Sequence, residues 1–134
     1  MVLDTSALIA ILFDEPERTR LEAAIDKDPF RLLSAMNRFE AGMVMIGRLG
    51  PTSVDRLDRM LDTLSIVVVP FDDHHAMIAR NAFARFGKGR HPAGLNFGDC
   101  AAYALAIAEA EPLLFKGTDF AATDVLMVDY GHQG

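Results

Sequence analysis

Cysteine is nearly absent: the 134 residues contain only Cys100. One thiol can form neither an intrachain disulfide nor a zinc site built from several cysteines. That fits a reducing compartment, with Cys100 read as a small core residue. Long apolar runs are missing too, and none approaches the roughly 18 residues that a membrane span needs. The opening "MVLDTSALIAILFDE" lacks the basic segment of a signal peptide and carries an acid at position 4. A soluble, cytoplasmic protein with no membrane association is expected. No repeat, low-complexity stretch or interdomain linker interrupts the chain, so residues 1–134 are expected to form one domain with a proper core. At 51% hydrophobic and 24% charged residues, the composition suits a folded globular chain and not a disordered one.

Positive charge is scarce, with a net charge of −6, which argues against nonspecific attraction to polyanions. Its distribution is uneven. From His74 to Gly98 there is no Asp or Glu, yet the stretch holds Arg80, Arg85, Lys88 and Arg90, with His91 beside them. "ARFGKGRHPAG" reads as a flexible basic loop near Phe83 and Phe86, a candidate for contacting phosphates. Any one of these cations is equally well explained as an ordinary solvated charge.

The elements alternate. "MVLDT" reads as a short buried strand and "SALIAILF" as a helix. Pro16 suits the first turn of a second helix running to about Asp28. "FRLLS" is the next strand. Ser34 is placed to cap a third helix, "AMNRFEAGMVMIGRL", which Gly50 closes. A fourth helix opens at Pro51, its apolar stripe carried by Val54, Leu57, Leu61 and Leu64. "SIVVVPF" reads as a strand of the fully buried kind, and Asp72 as the cap of a fifth helix ending at Gly87. A helix bearing Asp99 follows, then the strand "PLLFKG", the turn "TDFAAT" and a last strand, "DVLMVD". This order implies an α/β layered domain around a parallel sheet. For "AGMVMIGRLG", core burial is expected ahead of a dimer surface or a partner groove.

Acidic residues fall into two groups. Asp55, Asp58 and Asp62 lie off the apolar stripe of the fourth helix as solvated charges. Four others have two readings each. Asp99 heads an otherwise apolar helix, as a first-turn carboxylate favoured by the helix dipole or as a metal ligand. Glu40 falls within the apolar stripe of the third helix, either paired with an arginine or directed at a site. Asp4 and Asp119 each follow a strand, where open α/β sheets bind ligands, although both positions also suit caps or turns. Carboxylates gathered at one sheet edge would repel one another unless a cation neutralises them, and an all-oxygen set suits Mg²⁺ or Mn²⁺. The four histidines do not have the placement of ligands.

"MVLDTSAL", Glu40 in the third helix, "LNFGDCAAYALA" and "LLFKGTDF" together resemble the PIN-domain ribonucleases, and among them the VapC toxins of toxin–antitoxin pairs. The resemblance spans nearly the whole chain with the motifs in order. It implies a three-layer α/β/α domain with a central parallel sheet, and an Mg²⁺- or Mn²⁺-dependent endoribonuclease. The family's acidic positions fall on Asp4, Glu40, Asp99 and Asp119, with Asp124 the alternative for the fourth. It also implies a homodimer, a VapB-type antitoxin that blocks the site, and a structured substrate such as transfer or ribosomal RNA.

On that reading Asp4 and Asp99 bind the metal, while Glu40 and Asp119 ligate through water or orient the nucleophile. Thr5, Ser6, Asn96 and Thr118 are candidates for supporting the acids. Arg80, Arg85, Lys88, Arg90 and Lys116 are candidates for neutralising RNA phosphates. Two other α/β phosphotransfer patterns fit less well. A HAD-type phosphatase needs a second Asp at the position held by Ser6, and a response-regulator receiver needs its acidic pair after the first strand. A PIN-like module that binds RNA or protein without cutting is the alternative from a different class.

Overall fold

The computed structural model describes residues 1–131, so His132 lies outside the described residues. Strands β1 (Val2–Leu3), β2 (Leu32–Ser34), β3 (Val67–Val69) and β4 (Leu113–Leu114) form one parallel sheet in the order β3-β2-β1-β4. Around it lie α1 (Thr5–Leu12), α2 (Arg18–Asp26), α3 (Ala35–Leu49), α4 (Val54–Thr63), α5 (Asp73–Phe86) and α6 (Phe97–Glu109). This is the expected three-layer α/β/α arrangement. Among the described residues, no helix is long and apolar enough to cross a membrane.

Successive strand residues point to opposite faces, and here each face meets its own core. Leu3, Leu33 and Leu114 join the side chains of α1, α2, α3 and α4. Val2, Leu113 and Phe115 join those of α5 and α6. With both faces of the central strands covered, every strand position except Ser34 at the end of β2 is apolar, which is why the strands read as hydrophobic runs. The caps follow the sequence. Ser34 accepts the Met36 N–H at 3.3 Å, and Asp72 accepts the His75 N–H at 2.9 Å. Gly50 closes α3 at φ +90°, a conformation that costs glycine no Cβ clash.

Five readings change. β3 sits at the sheet edge with Val67 59% exposed, so it is half-covered and not fully buried. "DVLMVD" contributes one bridge, Met127 to Leu113, held by two backbone hydrogen bonds, and not a full strand. The α2 helix begins at Arg18, two residues beyond Pro16. The α4 helix begins at Val54, after a 3-10 turn over Pro51–Ser53, whereas "TDFAAT" is the expected turn, with a 3-10 segment over Asp119–Ala122. On α3, Met45 is buried, but Met43, Ile46 and Leu49 stand 45–57% exposed, so much of the apolar face of this helix is open.

Strand order carries the chain from β1 through β2 to β3, then back across to place β4 on the far side of β1. The reversal falls between β1 and β4, and crevices at such reversals bind ligands beyond the strand ends. There, the Asp4 N–H donates to the Leu114 carbonyl at 2.9 Å.

Candidate functional site

Asp4 is the single residue between β1 and α1. Its extended backbone lets Oδ2 accept the Ser6 N–H at 3.0 Å, so the strand-end acid and the helix cap are the same side chain. It is 4% exposed, and Oδ1 has no hydrogen-bond partner. A carboxylate taken from water and left half-satisfied is costly to ionise. Burial, with the charges of Asp99 and Glu40, pushes its pKa up to about 7 although the Ser6 hydrogen bonds oppose the rise.

Asp99 is the third residue of α6. Asn96 accepts its N–H at 2.9 Å, and the Asn96 N–H donates to Asp99 Oδ2 at 3.0 Å. This reciprocal capping box makes Asn96 a helix cap that also fixes the neighbouring carboxylate. Burial lifts the Asp99 pKa to about 6, with Asp119 and Glu40 adding to the rise.

The half-buried Glu40 carboxylate abuts the first turn of α6. A β-carbon at Gly98 would stand 2.1 Å from Glu40 Oε2, so glycine is what admits the carboxylate beside Asp99. Asp119 begins the turn after β4 and is exposed; Thr118 precedes it and makes no side-chain cap bond. Asp4, Glu40, Asp99 and Asp119 thus lie close enough for their charges to act on one another.

Asp124 is held elsewhere. It accepts the Tyr103 hydroxyl at 2.6 Å and pairs with Arg85 at 3.2 Å, and these partners hold its pKa below the usual carboxylate range.

Asn37 was not among the sequence candidates. It is fully buried in the first turn of α3, and its Nδ2 donates to Thr5 Oγ1 at 3.1 Å and to the Gly98 carbonyl at 3.0 Å. One side chain therefore ties the residue after Asp4 to the residue before Asp99, one helical turn ahead of Glu40. The available signal was a polar residue at i−3 from Glu40 in an amphipathic helix. Ser6 Oγ accepts the Lys116 N–H at 2.9 Å and anchors the segment after β4.

The basic candidates divide. Arg80, Lys88 and Arg90 are exposed. Arg85 pairs with Asp124 and lies over the Phe86 ring at 4.6 Å. Lys116 bridges Glu15 at 2.6 Å and Glu17 at 3.4 Å, so its charge is largely met within the chain. Of the described histidines, His75 is buried at the start of α5, His74 is exposed beside it, and His91 accepts the Ala93 N–H at 3.0 Å in the loop.

Among the described residues, no three His, Cys, Asp or Glu side chains are already gathered as a closed metal-ligand set. The donor chemistry nevertheless fits a hard divalent ion. All four donors are carboxylates, Asp4 offers a buried oxygen without a partner, and Mg²⁺ keeps several waters and needs only one or two carboxylates.

A PIN domain model matches residues 1–126. The chain is 48% identical to "Ribonuclease VapC" of Mycolicibacterium smegmatis, covering 96% of this chain and 99% of that protein. The chain belongs to the PIN-domain family, among the VapC ribonucleases. Ribonuclease VapC30 of Mycobacterium tuberculosis is 45% identical over 96% of this chain and 98% of its own length. The PIN fold recurs in the crystal structure of Mycobacterium tuberculosis VapC20, described as a sarcin-ricin loop cleaving toxin, with a TM-score of 0.77 at 14% identity over 95% and 97% of the two chains. VapBC-1 of nontypeable Haemophilus influenzae gives a TM-score of 0.74 at 15% identity, covering 98% of both chains.

Proposed function

We propose that this chain is a single-domain, metal-dependent endoribonuclease and the toxin of a VapBC-type pair, working in the cytoplasm. The observation that carries the reading is the partnerless, buried Oδ1 of Asp4 in a group with Asp99, Glu40 and Asp119, within a chain of the VapC family.

Asp4 and Asp99 would hold Mg²⁺ or Mn²⁺, since both are desolvated and oriented by backbone caps. When bound, such an ion would lower the pKa of a water molecule and offset negative charge developing on the phosphate. Glu40, wedged beside Gly98, orients the attacking water. Asp119 is exposed and reaches the cluster from the β4 side. Thr5 and Asn37 fix the separation of the two ligand-bearing segments, and Ser6 and Asn96 fix the two carboxylates. Thr118 is the weakest of these supports, having no cap bond of its own.

Arg80, Lys88 and Arg90 meet RNA phosphates. Arg85 and Lys116 contribute less because Asp124, Glu15 and Glu17 already engage them. The RNA is cut in an unpaired loop of transfer or ribosomal RNA. The chain works as a homodimer, and a VapB-type antitoxin covers the open apolar side of α3 near Glu40, where Phe39, Met43 and Ile46 are exposed.

Cleavage of structured RNA by the purified chain with Mn²⁺, stopped by EDTA, is the expected result. Asp119→Asn should slow it at least about tenfold and Asp124→Asn less than threefold, on the order of one lost supporting partner against none. A larger loss from Asp124→Asn would exchange their roles. RNA binding with no cleavage under any metal would favour the non-cutting PIN-like module.

A further inference from the structure

A second feature lies at the start of α6. Phe97 and Cys100 flank Asp99 within one helical turn, about 5.4 Å along the axis. Both side chains line a hollow of about 440 Å³ that is completed by Phe71, Ala76, Ala79, Arg80 and Phe83 across the α5–α6 seam. That volume lies within the range of small-ligand sites, about 300–1,000 Å³. Phe97 is 75% exposed and Phe83 43%. Single exposed apolar residues are ordinary; here Phe71, Phe83 and Phe97 line one hollow, whose Cys100 wall is next to Asp99 in the chain.

We infer that this hollow seats an unpaired nucleobase of the RNA, stacked on Phe97, with Arg80 on the adjoining phosphate. The inference rests on the ribonuclease reading of the neighbouring acids and extends it to substrate recognition. An aromatic face accepts any base, because every base has a π-face. Arg80 is exposed and is the one charged side chain among the residues that line the hollow, so the rim offers a cation to a phosphate. Cys100 is a buried free thiol, so it adds a small apolar wall. A second copy of the chain is the weaker occupant: stable dimers bury about 800 Å² on each partner, far more than a hollow sized for one ring.

The test uses the full chain in EDTA, so that no RNA is cut, with a short single-stranded oligoribonucleotide carrying 2-aminopurine. Stacking on Phe97 should quench the probe. Phe97→Ala removes an exposed ring, so folding is not at risk. It should abolish the quench and weaken binding about 5- to 150-fold. Arg80→Ala should weaken binding while the residual complex stays quenched. Equal weakening by Phe97→Ala of an oligoribonucleotide with an abasic probe position would overturn the inference, as would wild-type affinity in Phe97→Ala. So would a shift from dimer to monomer in Phe97→Ala with the quench retained. A chain that quenches the base in EDTA but cuts no RNA with Mn²⁺ would support the base site and overturn the proposed nuclease instead.

Discussion

Asp4→Asn is expected to abolish RNA cleavage while raising the melting temperature of the metal-free protein. The same burial underlies both effects. The folded-state pKa of about 7 lies above the ordinary value of 3.8, so between these values the folded chain keeps a proton that the unfolded chain has released. Stability therefore falls as pH rises through that window, and the full penalty is present above about pH 7. Each unit of the shift is worth about 1.4 kcal/mol. Asparagine accepts the Ser6 N–H as well as aspartate does, yet carries no charge to desolvate. In EDTA the gain should be on the order of 5–10 °C at pH 8 and smaller at pH 5. Cleavage should fall more than about 100-fold, since loss of supporting residues alone commonly costs 10- to 100-fold. Thermal melts at the two pH values and single-turnover assays check both parts. A variant that is less stable at pH 8 than the wild type would contradict this view of Asp4.

Gly98→Ala should inactivate without unfolding. The added methyl would stand 2.1–2.4 Å from the Glu40 carboxyl atoms. The obstacle is the far end of a flexible side chain, so Glu40 swings away and the backbone stays in place. Alanine also favours a helix over glycine by about 1 kcal/mol. The expected outcome is a melting temperature within a few degrees of wild type, with kcat lowered about 10- to 100-fold. A variant cleaving at the wild-type rate would remove Glu40 from the chemistry, and one that fails to fold would show that α6 cannot spare the clearance.

Much of this arrangement was legible because it rests on local rules. Ser34, Asp72 and Gly50 marked helix ends through chemistry that needs no partner elsewhere in the chain. The apolar strands announced a sheet covered on both faces. Edge position was not legible, because "SIVVVPF" reads the same whether one neighbour strand is present or two, and only the strand order exposes Val67. The last strand overreached for a related reason: "DVLMVD" has strand composition, but only Met127 meets Leu113.

The acids were individually ambiguous, and for two of them capping and membership of the acidic group go together. Asp4 and Asp99 are both helix-start carboxylates and members of the charged group, since a cap needs only part of a carboxylate's capacity. Choosing Asp119 over Asp124 depended on proximity to a strand end, whereas the partners that occupy Asp124, Arg85 and Tyr103, are distant in sequence. Asn37 escaped notice because its value lies in two contacts, to Thr5 and Gly98, separated by 32 and 61 residues. No spacing rule reports such contacts.

The central claim is that these carboxylates form one cation site, and calorimetric titration of the metal-free chain with Mn²⁺ tests it most directly. One saturable site is predicted in the wild type, tightening from pH 5.5 to 8 as Asp99 and Asp4 lose protons at about 6 and 7, with proton release on binding. Asp99→Asn should lower the affinity more than about tenfold and flatten the pH dependence. Equal Mn²⁺ affinity in Asp99→Asn and wild type, or no binding to the wild type at pH 8, would contradict the account.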